Sequence, residues 1–164
     1  MERIILHSDC NSFYASVECL HRPEIRRLPV AVGGDVAQRH GIILAKNQLA
    51  KRCGVQTGEA LWQAKQKCAD LVIVPPRYDL YLRFSRLAQQ IYLDYTDQVE
   101  PFGLDEAWLD VTGSRCIKGD GKTIAQEIRR RVKQELGITV SIGVSFNKVF
   151  AKLGSDYQKP DAVT

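Results

Sequence analysis

The chain lacks any apolar run approaching the ~20 residues a membrane-spanning helix needs, which excludes an integral membrane protein of the helical kind. Its opening, Met1 to Asp9, lacks the apolar stretch and small-residue cleavage site of a secretory signal. Paired cysteines are missing too. Cys10, Cys19, Cys53, Cys68 and Cys116 are odd in number, and no two lie two or three residues apart. That spacing fits neither a zinc framework nor a redox pair. Reduced thiols in a cytoplasmic protein are the simplest account. Repeats, low-complexity tracts and heptads are absent as well.

What is present is ordinary at first sight. The chain has 164 residues, 45% hydrophobic and 26% charged, enough to bury a core without staples. The net charge of +4 permits a polyanionic partner without demanding one. Its distribution is uneven. Cys19 to Pro75 carries nine Lys/Arg against four Asp/Glu, and Lys122 to Lys159 carries eight against three. The remaining segments are therefore acidic. Solvated helix faces account for such charge equally well if charge is considered alone.

The periodicity gives a coarse path. Arg3 to Asp9 reads as a buried strand. Asn11 or Ser12 caps a helix with Phe13, Val17 and Leu20 on one face. Val30 to Val32 reads as a short strand, Ile42 to Leu71 as two short helices, and Leu71 to Val74 as another strand. Tyr78 to Tyr95 carries a helical stripe, and Gln98 to Phe102 pairs with Ala107 to Val111 around Gly103. Ile124, Ile128, Val132 and Leu136 make a helix ended by Gly137. Ile138 to Val144 alternates as a strand, and Asn147 opens a helix through Gly154. With Cys19 to Pro75 set aside, the order resembles the split βαβ plan. The expected fold class is α+β, a ferredoxin-like βαββαβ base with a small, mostly helical insertion.

Acids mark where chemistry would sit. Asp9 ends the first strand, and Asp105 and Glu106 lie at the tight Gly103-Leu104 turn. In a ferredoxin-like sheet these strand ends converge. Converging carboxylates repel unless a cation holds them, and oxygen ligands favour hard ions such as Mg²⁺. Two such ions are a standard device for nucleotidyl transfer. The amides opening the Phe13 helix would suit a phosphate. Acids at turns and caps remain the alternative reading.

Lys148 and Lys152 share a helix face, Lys159 follows it, and Lys46, Lys51 and Arg52 sit in the insertion. The lysines are point charges suited to triphosphate or DNA backbone, or the run is simply a solvated face. Phe13 belongs to the apolar stripe. Tyr14 lies off it, where an aromatic ring restricts what fits beneath a sugar. Trp62 and Trp108 read as packing residues.

Four motifs then carry a resemblance. Ser8 to Glu18, Asn47 to Val55, Leu104 to Asp110, and Gly143 to Lys152 with Lys159-Pro160 resemble, in order, the motifs of the Y-family translesion DNA polymerases. The resemblance implies a catalytic palm over residues 1–18 and 76–164 and fingers over residues 19–75. It implies template-directed addition of deoxynucleoside triphosphates to a primer 3′ end on damaged primer-template DNA, with two Mg²⁺ ions. Asp9, Asp105 and Glu106 would be catalytic carboxylates and metal ligands, with the Cys10 carbonyl as a backbone ligand. Phe13, Tyr14, Gln48, Lys51 and Lys159 would contact the nucleotide, Tyr14 as the gate against a ribose 2′-hydroxyl.

The chain departs from the pattern in three places. Gln48 and Lys51 stand where the family usually has Tyr and Arg, and Asn11 where an acid is common. The first two remove a phenol ring and a bidentate guanidinium. The chain also ends at Thr164, so the thumb and little-finger domains are expected to be missing, any sliding-clamp contact to lie beyond it, and the fragment to be weakly active or inactive. A non-catalytic nucleotide- or protein-binding relative stays open, as does a nucleotidyl cyclase-like enzyme. The insertion and the missing Gly-Gly-acid-Glu-Phe loop argue against the cyclase.

Overall fold

The structure is a computed structural model that describes residues 2–34 and 41–164. In chain order its strands are β1 (Ile5–Cys10), β2 (Val30–Gly33), β3 (Ile43–Lys46), β4 (Val72–Val74), β5 (Val99–Phe102), β6 (Glu106–Asp110) and β7 (Val140–Ser145). Its helices are α1 (Phe13–His21), α2 (Gln48–Arg52), α3 (Leu61–Lys67), α4 (Tyr78–Leu93), α5 (Arg115–Lys118), α6 (Gly121–Arg131) and α7 (Lys148–Tyr157). The chain divides into two compact units, one of Met1–Asn11 with Leu82–Thr164 and the other of Ser12–Tyr81.

The first unit is built on a sheet of order β5-β6-β1-β7 with antiparallel neighbours throughout. β1 is central, and all six of its residues are buried, including the polar His7, Ser8 and Asp9. α7 lies against the Gly143 face of this sheet and the start of α6 against the Val144 face, so both faces of β1 are hidden and its sequence opens on consecutive apolar residues rather than alternating. Each buried polar group finds a partner: Ser8 Oγ lies 3.0 Å from the Tyr92 hydroxyl. The path β1, α4, β5, β6, α6, β7 is the ferredoxin-like plan expected from the sequence.

The helix termini follow local chemistry. Asp120 accepts from the Thr123 N–H at 2.7 Å to cap α6, whose Ile124, Ala125 and Ile128 are buried. The expected helix to Leu136 instead finishes as a π turn over Val132–Leu136, closed by Gly137 at φ 72°. Asn147 accepts from the Phe150 N–H at 2.9 Å and starts α7. Beyond α7, Ile142 donates to the Ala162 carbonyl at 2.9 Å and Val144 to that of Thr164 at 2.7 Å, so the last residues cover the outer edge of β7.

The second unit holds a sheet of order β3-β2-β4, with β2 antiparallel to β3 and parallel to β4. Here one expectation changes: Ile43–Lys46, read as part of a helix, is a strand. The apolar residues Ile43, Leu44 and Ala45 are too few to show a period, and the β character of the strand is decided by pairing with the fully buried β2. Ala31, Ile43, Ala50, Val55, Leu61, Ala64, Cys68 and Leu71 form the core beneath it. Ser12 does precede α1, but with φ 47° and no capping bond from its side chain. No helix among the described residues is long and apolar enough to cross a membrane, and the five cysteines are free.

One close approach fixes the first unit. A Cβ on Gly143 would lie 1.9 Å from the Ala151 carbonyl oxygen and 2.5 Å from the Ser155 nitrogen, so α7 rests directly on the β7 backbone. Neither obstacle is a flexible side chain. Gly143→Ala should therefore cost about 3 kcal/mol or more in urea unfolding, whereas Gly113→Ala, which meets nothing within 4 Å, should be nearly neutral. Equal midpoints for the two variants would contradict this packing.

Candidate active site

The candidate carboxylates are gathered by strand register. Asp9 lies opposite Glu106 across the β1–β6 pair. The ladder then continues one step, with the Cys10 N–H donating to the Asp105 carbonyl at 2.8 Å. Gly103 at φ 68° makes the reversal between β5 and β6 that brings Asp105 and Glu106 to this end. Asp9, Cys10, Asp105 and Glu106 therefore converge within one unit, although the sequence separates them widely.

The electrostatics show strain of a useful kind. Burial raises the Asp9 carboxyl above its ordinary range; Lys159 opposes this, while the charges of Glu106 and Asp105 add to it. Burial also raises Asp105; its own backbone N–H opposes this, Glu106 adds to it, and Lys159 and Lys152 oppose it further. Two ammonium groups answer the negative charge. Lys159 Nζ lies 2.5 Å from Asp9 Oδ2 and 2.6 Å from Asp156 Oδ1, and Lys152 is ion-paired with Glu106. Burial would lower the Lys159 pKa, but its bonds to Asp156 and Asp9 hold it above the ordinary value.

His7 completes the cluster. Its ring is buried, with Nε2 2.9 Å from Glu106 Oε2 and Nδ1 2.7 Å from Ser155 Oγ. Ser155 in turn donates to the Lys152 carbonyl at 2.8 Å. Burial, then the Lys152 charge, lowers the His7 pKa against the pull of Glu106. The ring also packs on Trp108 at 4.9 Å. Trp108, expected to pack, does so, and it also carries the Lys148 ammonium 4.3 Å over its ring.

These residues suit a hard divalent ion by chemistry. The donors are carboxylate and carbonyl oxygens, buried at Asp9 and Cys10 and half-buried at Asp105 and Glu106, and lysine ammonium groups now supply the compensating charge for the mutually repelling carboxylates. Among the described residues no three His, Cys, Asp or Glu side chains form a ready cage for an ion. Lys159 and Lys152 would first have to release the Asp9 and Glu106 oxygens that accept from them.

The nucleotide-contacting candidates Phe13, Tyr14, Gln48 and Lys51 belong to the second unit. Phe13 is buried, as its place on the apolar stripe predicts. Tyr14 stacks on Tyr81 with centroids 4.2 Å apart and planes within 10°, and meets Tyr78 edge-on at 5.9 Å. Gln48 opens α2 and Lys51 lies one turn on, behind an Asn47 cap that accepts from the Ala50 N–H at 3.0 Å. Tyr81 is itself anchored. Its hydroxyl donates to Glu18 at 2.7 Å, and Arg77 grips the same buried carboxylate with Nη2 at 2.6 Å.

Sequence reasoning missed His7, Ser155, Glu18 and Asp161. His7 was findable, because it lies two residues before Asp9 and so on the same face of the strand. Glu18 offered only a charged residue on an apolar helix, with no sign of its partner Arg77.

Comparison with known proteins agrees with this architecture. The impB/mucB/samB family matches residues 8–156, and the chain belongs to that family. It is 63% identical over 164 residues to DNA polymerase IV of Acetivibrio thermocellus, covering all of this chain and 41% of that protein. It is 46% identical over 161 residues to DNA polymerase IV of Ralstonia nicotianae, covering 98% of this chain and 45% of that one. Among solved structures, DinB from Sulfolobus solfataricus aligns at TM-score 0.89 and 29% identity, covering 98% of this chain and 47% of that one. A Y-family DNA polymerase chimera aligns at TM-score 0.91 and 29% identity, with 98% and 48% covered. The Y-family resemblance is thus borne out. The chain spans less than half the length of these curated relatives.

The buried Glu18 cluster predicts a pH signature. Burial would raise the Glu18 carboxyl, but Arg77 and Tyr81 outweigh it and hold the pKa below the ordinary value. A depressed carboxyl stabilises the fold above its unfolded pKa of about 4.3, and that contribution fades as pH falls through the folded value. Glu18→Gln should cost about 2 kcal/mol at pH 7, and the gap to the wild type should narrow below about pH 4. Urea melts across pH test this, and a gap that stays constant or widens in acid would refute it.

Proposed function

We propose that this chain is the catalytic palm (residues 1–18 and 76–164) and fingers (residues 19–75) of a polymerase that extends a primer past damaged template bases. The observation that carries the reading is the meeting of Asp9 with Asp105 and Glu106 at one end of β1 and β6, fixed by the Cys10–Asp105 backbone bond. Asp9, Asp105, Glu106 and the Cys10 carbonyl would hold two Mg²⁺ ions. When bound, these ions lower the pKa of an attacking hydroxyl and stabilise a leaving pyrophosphate.

This chain's own groups do the rest. Lys159 gives up Asp9 in exchange for a phosphate oxygen of the incoming deoxynucleoside triphosphate. Lys152 and His7 keep Glu106 oriented while the charge around it changes. Gln48 offers a hydrogen bond and Lys51 a point charge to the triphosphate. Tyr14, braced by its stack on Tyr81, presents a flat wall beneath the sugar and excludes a 2′-hydroxyl. The carboxylates and the lysines that balance them suit this chemistry, and relatives of the chain carry the name DNA polymerase IV.

Primer extension by the protein at its natural length tests both roles. Asp105→Ala should lower the rate with Mg²⁺ by about a thousandfold or more. Tyr14→Ala should extend DNA but raise ribonucleotide insertion about tenfold or more. Normal extension by the first variant would remove the site, and unchanged sugar discrimination in the second would remove the gate.

A further inference from the structure

Lys159 sits in a short connection between α7 and the residues that cover the edge of β7. A lysine on such a segment has a flexible four-carbon stem, and fixing its charge requires fixing its backbone. Asp161, two residues on, supplies the means.

Every polar group of Asp161 is engaged. Its N–H donates to Asn11 Oδ1 at 2.9 Å. Its carbonyl and its Oδ1 both accept from Arg129 Nε, at 2.9 and 2.8 Å. Its Oδ2 accepts from Lys133 Nζ at 2.7 Å. The residue also adopts φ 57°, a left-handed conformation that few residues other than glycine take without support. Aspartate is among those that tolerate it.

Asn11 is matched to the other side. It is buried, and its Oδ1 accepts both from Asp161 and from Thr139 Oγ1 at 3.0 Å, while its Nδ2 donates to Ser141 Oγ at 2.8 Å. An amide serves all three bonds at once. A carboxylate in its place offers no donor to Ser141 and adds charge beside Asp9. The asparagine at this position is thus accounted for by what it touches.

We propose that Asn11 and Asp161, with Arg129 and Lys133, form a latch that positions the Lys159 ammonium for the triphosphate. The latch holds the backbone on one side, and Asp9 and Asp156 hold the tip on the other. Lys159 then moves from carboxylate to phosphate by a short swing, without ordering a loop on binding, which preserves affinity. Asn11 and Asp161 are positioning residues, since they act through Lys159. This inference rests on the triphosphate role assigned to Lys159 above.

A double-mutant cycle on nucleotide insertion by the protein at its natural length tests it, with dATP opposite template T as the probe. Lys159→Ala and Asp161→Ala should each raise KM for the nucleotide about tenfold, with kcat changed much less. The double variant should be no worse than Lys159→Ala alone. Lys133→Met, which removes only one ion pair from Asp161, should raise KM less and leave the unfolding midpoint near that of the wild type, separating latching from folding. Multiplying KM effects in the double variant, or an unchanged KM in Asp161→Ala beside a raised one in Lys159→Ala, would overturn the latch. An unchanged KM in Lys159→Ala would overturn the triphosphate role, and the latch's function with it.

Discussion

Like charge held together is the constraint around which the first unit is organised. The pairing of β1 with β6 leaves no choice: Asp9 opposite Glu106, and the bond from Cys10 to Asp105, bring carboxylates to one strand end. Burial makes their ionised forms costlier still, which is why Asp9 and Asp105 are pushed upward. A sheet does not accumulate such a cluster for stability, because separated acids on the solvent face would cost less. The arrangement makes sense where cations compensate it.

The compensating groups come from α7 and its continuation, so the helix has to lie tight against the sheet. Gly143 allows that approach, and Lys152, Ser155, Asp156 and Lys159 then fall around the acids. His7 ties the two layers, touching Ser155 on the helix and Glu106 on the strand. The same helix therefore serves packing and electrostatics, and a shift in one would be felt in the other. Within the second unit, a different buried charge plays the organising part: Glu18, held by Arg77, fixes the hydroxyl of Tyr81, and the ring of Tyr81 supports Tyr14.

Much of this was legible in the chain. The elements of the first unit have strong periods, as with the alternation along β7 and the stripe of α6, and their order specified the ferredoxin-like sheet. Convergence of Asp9 with Asp105 and Glu106 followed from that order, since strand ends are where adjacent strands can share chemistry. Less was legible where the signal is short. β3 has too few residues to show a period, and its identity depends on a neighbour distant in sequence. The partners of Glu18, Asn11 and Asp161 were hidden for the same reason. Each is a polar residue whose role is set by a side chain far along the chain, and no spacing rule connects them.

The central claim is that the clustered carboxylates are a divalent-ion site whose charge the lysines balance in the meantime. Titration of Mn²⁺, a paramagnetic stand-in for Mg²⁺, into the protein without nucleotide, which would itself chelate the ion, measures this directly. The account predicts that the free-ion signal falls for the wild type, that Mg²⁺ restores it by competition, and that Asp9→Asn with Asp105→Asn abolishes the binding. Equal Mn²⁺ binding by the wild type and that double variant would contradict it.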